Sequence, residues 1–329
     1  MTRGMFLRVT AALVATITLV SGMMTLRTAA QSEFMGGPGF PYNAFDKLPV
    51  TDIDVDGGVI HLAFAPGRIE LPQATIVEWV KRSAKAVTIY YGRFPVKSAR
   101  ILIVPTGGSR VQGGTTWGYR GGAIRITFGS DSSVDDLQRD WVMVHEMVHL
   151  ALPDMEERYG WLSEGLAVYI EPIARVQSGD LPVRGVWGAM MRDMPNGRPR
   201  FGDQGLDNTS TWGRKYWGGA IFCLMADVEI RKRTNNRLGL QDAMRGVIKA
   251  GGSHEVDWPM ARVMSVADAA VGVDVLTRLH DQMGSKPVDP DLDGLWRELG
   301  VRFTDGGVEV NDTAPLAAIR ASITKAPVK

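Results

Sequence analysis

The sequence predicts an α+β fold, with a small β-containing amino-terminal part followed by a mainly helical part. Three observations predict it. Short runs with period-2 alternation lie before residue 130. The apolar spacing switches to the helical period near Val134. Most later segments keep that helical period. With 329 residues there is ample length to bury a core.

In chain order, Arg3 and Arg8 precede an apolar stretch, Val9 to Met24, and the small residues Thr28-Ala29-Ala30 follow it. Residues 1–30 therefore read as a secretory signal peptide or an uncleaved amino-terminal anchor. Residues 31–48 read as a linker, Gly- and Pro-rich from Glu33 to Asn43. Residues 49–130 form the α/β part. Within it, Val50 to Phe64 alternates around Asp56-Gly57-Gly58 as a hairpin does. Pro72 to Tyr91 is helical, with Ile76, Trp79, Val80, Ala84 and Val87 on one face. Ile101 to Val104 is a buried strand, Gly107 to Gly122 a Gly-rich mobile loop, and Ala123 to Phe128 a strand.

Residues 131–329 form the helical part. Val134 to Ala151 reads as one helix with Val134, Leu137, Trp141, Val144 and Val148 on its apolar face, Ser132 or Ser133 as cap and Pro153 beyond its end. Trp161 to Ala174 is a second helix. Further helices are expected at Trp212–Arg233, Gly239–Ala250, Val275–Met283 and Asp291–Leu299. A hairpin across Val301 to Val310 and a closing helix, Ala314 to Ile323, complete the chain.

Bulk properties exclude some functions. Lys and Arg number 37 against 36 Asp and Glu, so net charge gives no footing for nucleic acid or anionic membrane surfaces. Membrane association is expected only through the amino-terminal segment. The single Cys223 excludes an intrachain disulfide and a multi-cysteine zinc site, and it lies in an apolar run as a core residue does. Trp117, Trp141, Trp161, Trp212 and Trp217 are read as core.

The segment that carries chemistry is His145-Glu146-Met147-Val148-His149. Residues four apart share a helix face, so both imidazoles reach one metal. Glu146 is turned about 100° from His145, close enough to act on water without ligating the metal. This is the H-E-x-x-H arrangement of zinc peptidases. Neutral imidazoles suit Zn²⁺, which needs a third protein ligand and one open position. The metal brings water's pKa to about 7, and Glu146 serves as general base. For the third ligand, position 155 is Met and position 152 is Leu, so the extended histidine pattern fails. Glu164, on the next helix, is favoured over Asp154, Glu156 and Glu157, which sit in the connection as a solvated cluster. Gly165 would permit close helix approach.

HEMVH followed by WLSEGLAVY resembles the gluzincin peptidases, which complete H-E-x-x-H with a Glu on the following helix. The similarity is closer to the glycyl aminopeptidase family and its shorter bacterial relatives. It extends to Tyr216-Trp217-Gly218-Gly219-Ala220, Leu295 to Gly300 and Ala314 to Arg320, covering residues 120–325 in patches. It implies a thermolysin-type catalytic domain with one Zn²⁺ ion. It also implies that the Tyr216 hydroxyl stabilises the oxyanion, with Lys215 or His254 as alternatives. Two departures stand out. Fourteen residues separate His149 from Glu164, fewer than in thermolysin-like enzymes. Gly121 to Ile126, placed where a substrate-lining edge strand is expected, has no acidic residue to hold a substrate amine. The expectation is an exported zinc metallopeptidase, periplasmic or extracellular and free or anchored to the inner membrane, acting on a peptide or protein. The alternatives are an inactive zinc- or peptide-binding envelope protein of the same fold, and a hydrolase of a non-peptide amide.

Overall fold

Strand pairing organises the first half of the chain. The computed structural model describes Phe34 and residues 39–305 and 307–326. Strands β1 (Val50–Val55) and β2 (Gly58–Phe64) form the expected antiparallel hairpin, turning at Gly57 with φ of 97°, where a side chain would be strained. Helix α1 (Gln73–Tyr91) then crosses over to β3 (Ser98–Thr106), which lies parallel to β2. Strands β4 (Val111–Trp117) and β5 (Gly122–Gly129) complete a five-stranded sheet of order β1-β2-β3-β5-β4.

The sheet buries both faces. Ile101 and Ile103 join the α1 residues Ile76, Trp79, Val80, Ala84 and Val87 in the main core. Leu102 and Val104, pointing the other way, meet Phe40, Tyr42 and Ala44. Residues 40–44, inside the stretch read as a linker, are thus docked onto the sheet. The signal or anchor segment, residues 1–30, lies outside the described residues. Among the described residues, no helix is long and apolar enough to cross a membrane.

The Gly-rich stretch read as a mobile loop contains strand β4. The expected edge strand, Gly121 to Ile126, is β5, hydrogen-bonded to β3 on one side and β4 on the other. Its buried Ala123, Ile124, Ile126 and Phe128 demand an interior position, so the free edge belongs to β4. Glycine misled because a strand glycine also marks close approach by a neighbour. A Cβ at Gly114 would overlap the Glu146 side chain, and one at Gly118 would overlap the His254 carbonyl.

The helical part contains α2 (Val134–Arg139), α3 (Val142–His149), α4 (Gly160–Gln177), α5 (Val183–Asp193) and α6 (Gly219–Arg233). It continues with α7 (Leu240–Lys249), α8 (Met260–Val271), α9 (Val275–Met283) and α10 (Leu292–Leu299). The hairpin of β6 (Val301–Thr304) and β7 (Gly307–Val310) and helix α11 (Ala317–Thr324) follow. Helices α5 and α8 fall between the segments assigned from sequence. The single helix read across Val134–Ala151 is two. Ser133 caps α2 with a reciprocal bond to Asp136. Asp140 is extended, and its carboxylate accepts from the backbone of Val142 (3.1 Å) and Met143 (3.1 Å), ending one helix and starting the next. That break turns Val134 and Trp141 out of the predicted apolar face; they are 49% and 53% exposed.

One core runs from Ile53 in β1 to Ile323 in α11, so the change of pattern near residue 130 does not divide two cores. Helices α4 and α6 cross through glycines: a Cβ at Gly219 would overlap Gly165 and the Trp161 carbonyl. Beside the crossing, buried Asp227 accepts from Arg231 (2.8 Å), the Tyr169 hydroxyl (3.0 Å) and the Leu240 backbone (3.1 Å). Cys223 is buried on α6, and burial holds its thiol far above its ordinary range. Gly219→Ala should therefore destabilise the protein by about 1–3 kcal/mol in urea unfolding, because backbone rather than a flexible side chain must move.

Candidate metal centre

Local structure sets the direction of each side chain. All of α3 is buried, and its start at Asp140 fixes the rotation at which His145 and His149 face α4. Glu164 lies one turn into α4 and meets them. His145 Nε2 is 3.3 Å and His149 Nε2 3.6 Å from Glu164 Oε2. The three ligand atoms all lie within 4.8 Å of one another. Ligand atoms about 2.0–2.1 Å from a tetrahedral Zn²⁺ stand about 3.4 Å apart, so two imidazoles and a carboxylate so placed fit one ion. Among the described residues no other group of three His, Cys, Asp or Glu side chains is so placed.

The structure brings together His145, His149 and Glu164, and leaves the competing acids outside. Asp154 pairs through its backbone with Asp257, and Glu156 bonds Arg158 at 3.1 Å. Glu157 stays at an exposed turn. Burial disfavours the Glu164 carboxylate, but hydrogen bonds to both imidazoles and their charge hold it well below the usual carboxylate range. Burial also opposes the charged form of His149. The Glu164 hydrogen bond and the charges of Glu146 and Glu164 outweigh it and hold that imidazole above its ordinary range.

Supporting residues surround the cluster. Ser163 Oγ lies 2.9 Å from His149 Nδ1, leaving Nε2 to face Glu164. Glu146 points to the other side, toward β4, where the Thr116 hydroxyl bonds its Oε2 at 2.7 Å. Tyr216 lies beside the cluster, its ring stacked 6.4 Å from His145. Burial first, then the nearby Glu164 charge, pushes its phenol up to about 12, so it is a neutral donor. Arg214–Gly218 forms a π-helical turn that swings Tyr216 over the cluster, and the Gly165–Gly219 crossing anchors that turn.

The two alternatives to Tyr216 are placed differently. Lys215 packs over Gly160. The His254 backbone N–H donates to the Leu150 carbonyl (3.1 Å) and its own carbonyl lies against Gly118, and burial together with the His149 charge holds its imidazole below its ordinary range. It clasps the end of β4 to the end of α3. His280 is 2.9 Å from Asp207, which also accepts from Trp161. Sequence reasoning missed Thr116, because its strand read as a loop, and Ser163, although it adjoins Glu164. It also misassigned Trp141 and Trp212. These are 53% and 63% exposed beside the site, whereas Trp161 is buried as expected.

No protein-family model matches the sequence, and no curated protein does. Among solved structures, an aminopeptidase N family protein from Idiomarina loihiensis is similar with a TM-score of 0.60 at 15% identity, across 82% of this chain and 53% of that one. An M1 zinc metallopeptidase from Deinococcus radiodurans gives a TM-score of 0.48 at 13% identity, across 74% and 52%. The first likeness establishes a shared fold. The chain spans about half the length of these structures.

Metal content tests the centre directly. His149→Ala and Glu164→Ala should lose zinc measured by atomic emission after dialysis, whereas Glu146→Gln should keep it. Ser163→Ala should weaken zinc binding by about 10- to 100-fold in competition with a chromogenic chelator.

Proposed function

We propose that this chain is an exported zinc-dependent peptidase of the gluzincin type, with Glu146 as general base. The observation that carries the reading is the convergence of His145, His149 and Glu164, with Glu146 directed instead toward a strand edge. The fold shared with an aminopeptidase N family protein supports it at the level of class. Export rests on the charged, apolar and small-residue order of residues 1–30. A peptide or protein is the substrate this reading implies.

His145, His149 and Glu164 would hold one zinc ion. When bound, that ion supplies Lewis acidity, which acidifies water and polarises a carbonyl. The remaining work belongs to the chain. Thr116 holds one oxygen of Glu146, fixing the carboxylate against β4. Glu146 takes the proton from the attacking water and passes it to the leaving amine. The Tyr216 hydroxyl donates a hydrogen bond to the carbonyl oxygen as that oxygen gains charge. The free edge of β4 offers main-chain groups that can pair with an extended peptide. Gly114 keeps that edge against the Glu146 side chain. No acidic residue lies on β4, so nothing there marks a substrate's α-ammonium, and the proposal covers peptide bonds without an end preference.

Glu146→Gln should lose peptide hydrolysis by about 10²- to 10⁴-fold while retaining zinc. Tyr216→Phe should lower kcat by about 10²- to 10³-fold with KM little changed. Steady-state assays on fluorogenic peptides read both. A zinc-loaded wild-type protein that cleaves nothing in a broad peptide library would overturn the proposal.

A further inference from the structure

The chain between α5 and the π-helical turn folds around a hollow of about 400 Å³. That volume lies in the range of ligand pockets. Three arginines line it, Arg198, Arg200 and Arg214, with Thr211 beside them. The one acid among its lining residues, Asp203, is buried and lies 2.8 Å from Arg214 Nε. Trp212 borders both this hollow and the cleft that contains His145 and Tyr216.

We propose that this hollow is an anion subsite that holds a carboxylate of the peptide substrate, supplied by its carboxy terminus or by the side chain of an Asp or Glu. The inference rests on the peptidase reading above and adds the charge that the substrate carries.

Three observations carry it. The first is uncompensated positive charge. Arg214 is 3% exposed, and its Nη1 donates to the Gly197 carbonyl at 2.6 Å. Its Nη2 is buried with no hydrogen-bond partner, and so is Arg198 Nε, which stands 3.4 Å from Asp289. Arg200 is exposed and forms no ion pair among the described residues. Burial holds the Arg214 guanidinium below its ordinary range in spite of the Asp203 charge. A charged donor left unpaired away from water is costly, and an entering oxyanion removes that cost. The second is donor shape. A guanidinium presents a planar fork that matches a carboxylate with two parallel bonds. The Thr211 hydroxyl accepts from the Arg214 backbone (3.4 Å), which leaves its own proton free to donate. The third is position. The rings of His145, Tyr216 and Trp212 stand in series, with centroids 6.4 and 5.9 Å apart. An extended peptide advances about 3.3–3.6 Å per residue, so a chain following these rings brings a carboxylate to the hollow roughly four residues from the scissile bond. The fully exposed Phe201 also lines the hollow and gives that chain an apolar rim. No acidic residue on β4 competes by holding a substrate's α-ammonium, so charge recognition falls to the arginines.

Zinc-loaded wild-type protein should be assayed on matched internally quenched peptides. One series carries a free or an amidated carboxy terminus. A second, amidated throughout, carries Glu or Gln at each position in turn. A carboxylate roughly four residues from the cleaved bond should raise kcat/KM by about 10- to 100-fold over its neutral counterpart. An effect in the first series alone assigns the terminal carboxylate, one in the second alone assigns the side chain, and one in both shows that the hollow takes either. Arg200→Gln should cut the acid-over-neutral ratio about fivefold or more at unchanged zinc content, and Arg200→Glu should push it below one. Arg214→Lys, which keeps the charge and loses the fork, should cut it as well. Arg200, being exposed, carries the test if the Arg214 variant does not fold. A ratio near one in both series, a preference for Lys over Gln, or a ratio unmoved in the folded Arg200 variants overturns the subsite alone. Peptide binding to zinc-loaded Glu146→Gln protein, read by fluorescence anisotropy, separates the two claims. Carboxylate-dependent binding that Arg200→Gln abolishes in that background, with no hydrolysis by wild type, supports the subsite and overturns the peptidase reading.

Discussion

The contact on which the rest depends is one carboxylate, Glu164, facing two imidazoles across the interface of α3 and α4. Bringing an acid and two bases out of water is costly unless they neutralise one another or a metal. The charge logic here is reciprocal: the imidazoles hold Glu164 ionised, and Glu164 favours the charged form of His149. Such a cluster needs precise rotation and separation of two helices. The Asp140 restart sets the rotation of α3, the glycine crossing of α4 with α6 sets the position of α4, and Ser163 fixes the His149 ring. None of these three devices contributes a ligand, and each constrains one.

The candidate ligands were legible in the sequence because their signal is local. Residues four apart on a helix share a face whatever surrounds them, so HEMVH announces itself. Glu164 needed only the inference that two consecutive helices pack side by side. The hairpin at residues 50–64, helix α1 and the last hairpin were legible for the same reason. What escaped was set by long-range contact. Strand β4 looks like a loop because its glycines answer to Glu146 and to the bulk of neighbouring backbone, not to a turn. The break at Asp140 escaped because a helical apolar pattern continues through it and a single carboxylate overrides that pattern. Tyr216 was assigned through family resemblance; the π-helical turn that aims it leaves no periodic mark.

The exposed tryptophans illustrate a different blindness. Composition favours core for an aromatic residue, and Trp79, Trp161, Trp187 and Trp296 are core. Trp141 and Trp212 differ in position, not in type. Trp141 stands at the junction where α2 ends and α3 begins, and Trp212 just before the π-helical turn. Both sites are departures from regular helix, and the two departures set the directions of His145 and Tyr216. The same irregularity that orients His145 and Tyr216 therefore places an indole beside each.

It follows that the boundary near residue 130 cuts through the site. The helical part supplies His145, His149, Glu164 and Tyr216. The sheet supplies Gly114 and Thr116, which adjoin the Glu146 side chain and lie on a strand with a free edge. His254, in the loop between α7 and α8, closes the seam by bonding the Leu150 carbonyl at the end of α3 and packing its own carbonyl against Gly118 just beyond β4. A metal cluster could be built from α3 and α4 alone. The contact of Glu146 with Thr116 on a free strand edge could not. The continuous core from β1 to α11 is thus the structural condition for joining the cluster to the strand, the arrangement that the proposed hydrolysis requires.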